Sequence, residues 1–369
     1  MGSPTQCIER VRAVGWRNLG NLDWTPGRHF NVVHGDNGSG KSNLLEAIYY
    51  LGALRSFRGA KTDDIVCRDS ERCAALAQVR IGAAPVSELR AELRRVGSRK
   101  ITVDGKRPRS TGQWLAAVQM VVFHPGHLAL VGGSPEGRRS FLDSILEHMD
   151  ASYRSITTGY QKALRSRNHL LKNKDVERSS IRAFDAILAQ HGAIIGERRT
   201  LVAKELESHA SPVFRDVVGK EQGLRIVYTP THEPTAAVLE QALSSSFEKD
   251  RRSGRTNVGP HTDDMRIEFG PRLAKHYASQ GQQRTAALSM KVAELHVLSD
   301  KVGSVPVLLM DDISSELDRS RNRALFELLR QLGGQVFLTT THPEFILLDR
   351  NRQNLEVRDG AVMAAGEEV

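Results

Sequence analysis

Gly35-Asp36-Asn37-Gly38-Ser39-Gly40-Lys41-Ser42 matches G-x-x-x-x-G-K-[ST], the loop that wraps nucleotide phosphates. The spacing has a physical cause. Glycines let successive backbone N–H groups point into one concavity, Lys41 reaches the β and γ phosphates, and the Ser42 hydroxyl can ligate Mg²⁺. All eight residues are therefore expected to contact a nucleotide and its Mg²⁺. The anion also needs a helix N-terminus behind it. Leu44 to Leu51 reads as that helix, and His29 to Val33 before the loop reads as a strand.

Working outward, the 369 residues suffice for two or three ordinary domains, or for one large α/β domain with an insertion. The 40% hydrophobic and 26% charged fractions are globular values and exclude wholesale disorder. A net charge of +9 favours a polyanionic partner such as DNA or RNA, although an arginine-rich composition also follows from a GC-rich genome. Cys7, Cys67 and Cys73 are too few and too irregular for a disulfide framework or a zinc site. No apolar run reaches membrane-span length, and Met1 to Gln6 lacks a signal core, so the expectation is a cytoplasmic protein with no membrane partner.

Residues 7 to about 120 read as strand-rich, with strands at Ile8 to Val14, Ala74 to Ile81 and Ala91 to Val96. A hairpin of Lys100 to Val103 and Lys106 to Arg109 is expected to turn at Asp104-Gly105. Helical periodicity takes over from about Glu136 to Phe214, without the sustained heptads of an extended coiled coil, which predicts a short helical arm. Ser244 to Arg252 reads as a loop. After about Gly254 a helix (Thr285 to Leu298), a strand (Val305 to Met310), a helix (Arg321 to Leu332) and a strand (Gln335 to Thr339) return, which argues for parallel pairing. The expected organisation is an α/β ATPase lobe from 1–120 and 255–369, interrupted by a mainly helical lobe over 121–254.

The apolar run Val307-Leu308-Leu309-Met310 ends in Asp311-Asp312. In phosphate-loop enzymes the first such acid holds Mg²⁺ together with the loop hydroxyl, and the second can orient or deprotonate the attacking water. Asp311 is assigned to the metal and Asp312 to water activation. Ser279-Gln280-Gly281-Gln282-Gln283-Arg284, just before a helix, offers a second anion site that one nucleotide does not need. Two sites make sense if each nucleotide is sandwiched between two copies of the chain.

These elements together resemble the ABC-type ATPase heads of the SMC group, and within it the bacterial RecF recombination-repair family. The resemblance covers nearly the whole chain. It runs from Gly15-Trp16-Arg17-Asn18-Leu19 through Asn43-Leu44-Leu45-Glu46, Arg55-Ser56-Phe57-Arg58, Gly137 to Asp143, Arg167-Asn168 and Gly259 to Asp264. It ends with Ser279 to Arg284 and Asp311-Asp312, followed by Ser315-Glu316-Leu317-Asp318. It implies an ATP-dependent homodimer in which Ser279, Gly281, Gln282 and Asp318 approach the nucleotide held by the partner. It also implies Arg17 among the nucleotide contacts, Gln119 as a link from ATP to the helical lobe, and His342 or Thr341 as a switch after the strand Gln335 to Thr339. The implied role is a weak DNA-stimulated ATPase acting on single-stranded or gapped DNA. It would work in recombinational repair and replication restart, with recombination mediator proteins, recombinase loading and the SOS response.

His124, His127 and His261 invite a metal reading, but no close cysteine pair supports it. Basic clusters at Arg55, Arg58 and Lys61, at Arg138 and Arg139, and at Arg165, Arg167, Lys172 and Lys174 read first as solvated faces. Aromatics at 5% disfavour base-stacking platforms and favour backbone contact with DNA. Two rival functions use the same motifs: an ATP-energising subunit of a membrane transporter, whose second acid is typically Glu, and a DNA-binding scaffold with an idle ATP site.

Overall fold

The structure is a computed structural model that describes residues 5–173, 175–218, 223–312, 319–348 and 351–364. The chain divides into two compact units. One comprises Met1–His127, Asp216–Lys220 and Ala287–Val369, the other Leu128–Arg215 and Glu221–Ala286.

In the first unit the apolar strands assemble into one six-stranded sheet. Its order is β14 (Ala361–Ala364), β13 (Arg352–Arg358), β3 (Phe30–His34), β12 (Val336–Thr340), β11 (Val307–Met310) and β7 (Met120–Phe123). All neighbours are parallel except β14, which pairs antiparallel with β13. Every residue of β7, β11 and β12 is buried, as a parallel sheet covered on both faces requires. Parallel strands bring their carboxyl ends to one rim, where open α/β sheets bind ligands.

A second sheet in this unit is antiparallel, ordered β2 (Leu22–Trp24), β1 (Gln6–Val14), β4 (Arg72–Ile81), β5 (Ser87–Arg94) and β6 (Lys100–Val103). Helix Lys41–Ala53 joins the two sheets into one core. Leu44, Leu45, Ile48 and Leu51 pack in a cluster with Ala75, Ala77, Leu89 and Ala91 of one sheet and Val33, Leu309 and Phe337 of the other. Each such leucine, isoleucine, valine or phenylalanine contributes about 1.5–3 kcal/mol by leaving water, so the loop preceding the helix is held against a rigid body. The expected hairpin turns at Asp104 and Gly105, both at positive φ, but its second arm is reduced to one bridge between Val103 and Lys106. Pro108 supplies no N–H to extend it.

The second unit holds helices Pro135–Met149, Tyr153–Leu171, Arg178–Val218, Ala236–Ser245 and Phe247–Ser253. It also holds a three-stranded antiparallel sheet ordered β10 (Arg272–Leu273), β9 (Asp264–Phe269) and β8 (Leu224–Thr229). That sheet shifts the expected lobe boundary from 255 to 286/287, because β9 pairs with β8 from Leu224↔Phe269 to Thr229↔Asp264. Residues 121–127 belong to the first unit instead, since β7 completes its parallel sheet.

Two further expectations are corrected here. Helix Arg178–Val218 has 41 residues, roughly 60 Å of helix, where a short arm was expected. Its buried residues Leu188, Ile195, Val202, Leu206 and Val213 recur at spacings of seven, seven, four and seven, a heptad-like stripe whose interleaved buried positions include Asp185, Gly192 and Arg199 rather than only apolar side chains. The expected loop at 244–252 is helical, anchored by Asp250, which is fully buried and accepts bonds from Arg167 Nη1 at 2.7 Å, Ser246 Oγ at 3.0 Å and Asn257 N at 3.1 Å. Arg167 therefore belongs to the core rather than to a basic surface, and Arg138 does too, paired with Asp264 at 2.7 and 2.9 Å. Lys174 lies outside the described residues. No described helix is long and apolar enough to cross a membrane.

Candidate nucleotide site

The loop between β3 and helix Lys41–Ala53 takes its shape from glycines in left-handed conformations. Gly35, Gly38 and Gly40 have φ of 144°, 83° and 120°. A Cβ on Gly35 would fall 2.2 Å from the Val357 carbonyl oxygen, so β13 admits only glycine there. The Lys41 ammonium curls over the loop and donates to the carbonyls of Gly35 and Asp36, both at 2.8 Å. Burial lowers its pKa, opposed by the charges of Asp312, Asp311 and Asp36. Ser39 Oγ is buried in the same loop and has no hydrogen-bond partner among the described residues. An orphaned hydroxyl beside first-turn helix amides suits a phosphate, which accepts from all of them.

A relay braces the loop from outside. Asn18 Nδ2 donates to Gly38 O at 3.2 Å, Asn43 Nδ2 to Asn18 Oδ1 at 2.6 Å, and Arg58 Nη1 to Asn43 Oδ1 at 2.7 Å. Arg58, although exposed, is thus tied to the phosphate-loop end of the fold.

The acidic pair sits at the carboxyl end of β11. Ser42 Oγ donates to Asp311 Oδ1 at 2.7 Å, and Thr339 Oγ1 donates to the same oxygen at 2.7 Å. The Thr339 hydroxyl in turn accepts the Asp312 N–H at 2.8 Å. Burial raises the Asp311 pKa, while the Thr339 and Ser42 hydrogen bonds and the Arg58 charge pull it down. Asp312 has φ of 53°, a left-handed turn that sends its side chain off the path of the strand. Thr339 was not foreseen. It arrives because β11 and β12 pair in the register Met310↔Leu338, and its only sequence signal was a hydroxyl closing an otherwise apolar strand.

A hydroxyl and a carboxylate, both hard oxygen donors, fit Mg²⁺. The described residues contain no cluster of three or more His, Cys, Asp or Glu able to hold a metal. The set therefore suits a cation whose shell is completed by phosphate and water, as Mg²⁺ prefers.

His342 follows β12 at the same rim, exposed, with its N–H on Thr340 Oγ1 at 2.9 Å and its Nδ1 3.0 Å from Glu344 Oε1. Gln119 is a correction. It precedes β7, at the amino end of the sheet and so opposite the loop, where its N–H donates to Gln6 Oε1 at 2.7 Å. Arg17 is committed elsewhere: its Nε pairs with Glu46, its Nη2 reaches Glu46 Oε1 at 2.8 Å, and its Nη1 reaches Asp64 O at 3.1 Å. Glu46 is fully buried and also accepts from Ser56 Oγ.

Ser279, Gly281 and Gln282 lie in the second unit at the start of helix Gln280–Val302. Ser279 Oγ accepts from Gln282 N at 3.2 Å, and Gln282 Oε1 accepts from Ser279 N at 2.9 Å. This reciprocal capping box fixes the helix start. Asp318, with Ser315 to Leu317, lies outside the described residues. The histidines are structural. His124 and His127 ring nitrogens accept backbone N–H bonds from Gly126 and His124, and burial lowers both pKa values, His124 to about 4. His261 bonds Tyr160 Oη at 2.6 Å.

The family model of the RecF/RecN/SMC N-terminal domain matches residues 7–360. The chain is 36% identical over 337 residues to the DNA replication and repair protein RecF of Myxococcus xanthus, covering 88% of each. It is 33% identical over 365 residues to that of Geotalea uraniireducens, covering 96% of this chain and 99% of the relative. Among solved structures it superposes with a TM-score of 0.90 and 31% identity on a recombination mediator protein RecF described with ATPrS in the RecFOR pathway, covering 99% and 100% of the two chains. An Smc head domain from Pyrococcus furiosus, 17% identical with a TM-score of 0.56, shares the fold.

Proposed function

Because the chain belongs to the RecF family of DNA replication and repair proteins, we propose that it is an ATP-dependent DNA-binding protein whose nucleotide closes a homodimer on DNA. One observation carries the reading: the Ser42 hydroxyl and the Asp311 carboxylate meet at 2.7 Å beside a glycine-shaped loop. The solved RecF relatives, described as ATP and ATPrS forms in the RecFOR pathway, support the choice of nucleotide.

In this mechanism Gly35, Asp36, Asn37, Gly38, Ser39 and Gly40 wrap the phosphates, and Lys41 leaves the two loop carbonyls to pair with them. Ser42 and Asp311 would hold Mg²⁺, which would supply neutralising charge for the transferring phosphoryl group. Thr339 keeps Asp311 and Asp312 in register, so that Asp312 can orient and deprotonate the attacking water. Ser279, Gly281, Gln282 and Asp318 complete the site from the partner subunit, and His342 senses the γ phosphate. Hydrolysis is slow, DNA-stimulated and serves as a conformational switch. The net charge of +9 supports backbone contact with single-stranded or gapped DNA. By family, the setting is cytoplasmic recombinational repair and replication restart with recombination mediator proteins, recombinase loading and the SOS response.

Light scattering with and without ATP tests the reading. The wild type should dimerise with ATP and Lys41→Ala should stay monomeric. ATP-dependent dimerisation of Lys41→Ala would sink it. DNA binding should require ATP and fall steeply with salt, since salt dependence alone reports only a basic surface.

A further inference from the structure

A groove of 460 Å³ runs along one edge of the three-stranded sheet in the second unit. β8 is the outer strand in the order β10-β9-β8, so one row of its backbone groups has no partner strand among the described residues. One bond fixes the direction of that row: Ile226 N–H leaves the sheet and donates to the Glu207 carboxylate at 2.8 Å. Residues alternate sides along a strand, so the Ile226 carbonyl and both backbone groups of Tyr228 point outward as well. The facing wall is helix Arg178–Val218, which contributes Lys204, Glu207 and Arg215 to the groove, while β8 adds Arg225. Lys204, Arg215 and Arg225 are exposed, Arg225 within 3.8 Å of Glu268 Oε2, and Glu207 is the one acid among the described residues that line the groove.

The groove thus combines main-chain donors and acceptors at strand spacing with an excess of positive charge. We infer that it docks an extended acidic peptide segment of a partner protein, which adds a strand to β8. Main-chain pairing supplies affinity, and alternate side chains of the incoming strand meet the cations. Glu207 is the resident placeholder: its carboxylate holds the N–H that an incoming carbonyl takes, and it guards the edge against indiscriminate pairing. Duplex DNA is also anionic, but it has no peptide groups to complete the unpaired row. The inference does not depend on the nucleotide reading.

The test uses the full chain and a capped heptapeptide alternating aspartate with valine, followed by fluorescence anisotropy. Its controls are a lysine-for-aspartate peptide, a version N-methylated at alternate positions, and a DNA duplex as competitor. The acidic peptide should bind and the lysine peptide should not. Lys204→Glu combined with Arg215→Glu should weaken binding about tenfold, Glu207→Ala should tighten it about threefold, and N-methylation should weaken it about tenfold. Thermal melting checks that the exposed-site variants fold, and the Glu207 variant and N-methylated peptide stand without them. Failure of the acidic peptide to bind either wild type or Glu207→Ala would overturn the inference. Equal binding of the N-methylated peptide would also overturn it by leaving charge alone, and so would displacement by duplex DNA whose own binding the double variant abolishes.

Discussion

Ser42 Oγ and Asp311 Oδ1 meet at 2.7 Å although 269 positions separate them in sequence. One ends the phosphate loop and the other ends β11. They meet because β3 and β11 flank β12 in the parallel sheet, with their carboxyl ends at one rim. In the proposed mechanism the same two oxygens would hold Mg²⁺, which would draw on lone pairs of both.

Lys41→Ala should weaken ATP binding about a hundredfold or more, equivalent to about 2.7 kcal/mol. It also removes a buried ammonium, so the melting temperature without nucleotide should hold or rise. Titration with a fluorescent ATP analogue and a thermal melt read the two effects separately.

Asp311→Asn should separate stability from function. Burial raises the Asp311 pKa above its ordinary 3.8, so the folded chain holds this proton more tightly than the unfolded chain. Its contribution to stability therefore falls as pH rises from the unfolded value through the folded one, and the penalty stays constant above that. The variant should melt higher at neutral pH without nucleotide, show a flatter pH dependence on the acid side, and lose Mg²⁺-dependent ATP hydrolysis. A variant less stable than wild type at neutral pH would contradict the burial argument.

Thr339→Val keeps the shape of the side chain but removes the hydroxyl that Asp311 and Asp312 share. It should cost about 1–3 kcal/mol of stability. Turnover should fall more than ATP affinity, because the two acids lose register. Thr339→Ser should restore both, and single-turnover kinetics beside equilibrium binding would show the split.

Arg17→Ala should destabilise the fold rather than the nucleotide complex. It strips the guanidinium from a fully buried Glu46, and breaking such a pair costs about 3–5 kcal/mol. The double variant Arg17→Met with Glu46→Gln should recover much of that loss. Denaturant unfolding measures it, and ATP affinity of the folded fraction should stay near wild type.

The phosphate loop, the helix behind it and the acid-tipped strand were legible because each is a local pattern whose chemistry dictates its spacing. Parallel pairing followed from the strand–helix order. Gln119 was misjudged because sequence proximity to β7 does not say which end of the strand faces the loop; register with β11 does. Thr339, Asn18 and Arg58 escaped because their roles come from pairings across 15 or more positions that no periodicity records. Arg138 and Arg167 read as surface charge for the same reason: Asp264 and Asp250, their partners, come from distant segments. The second-unit sheet was missed since β8 and β9 lie 40 residues apart, separated by helices.

Mixing two inactive variants tests the shared-site claim most directly. Lys41→Ala cannot hold ATP, and Ser279→Arg should be unable to complete the partner's site. A mixed dimer has one intact site, built from the loop of the Ser279→Arg chain and the Ser279 of the Lys41→Ala chain. Equimolar mixing should therefore restore ATP hydrolysis that neither variant shows alone, to at most about half of wild type, since each mixed dimer carries one of two sites. No recovery on mixing, or full activity of Ser279→Arg alone, would contradict a nucleotide site completed by a second copy of the chain.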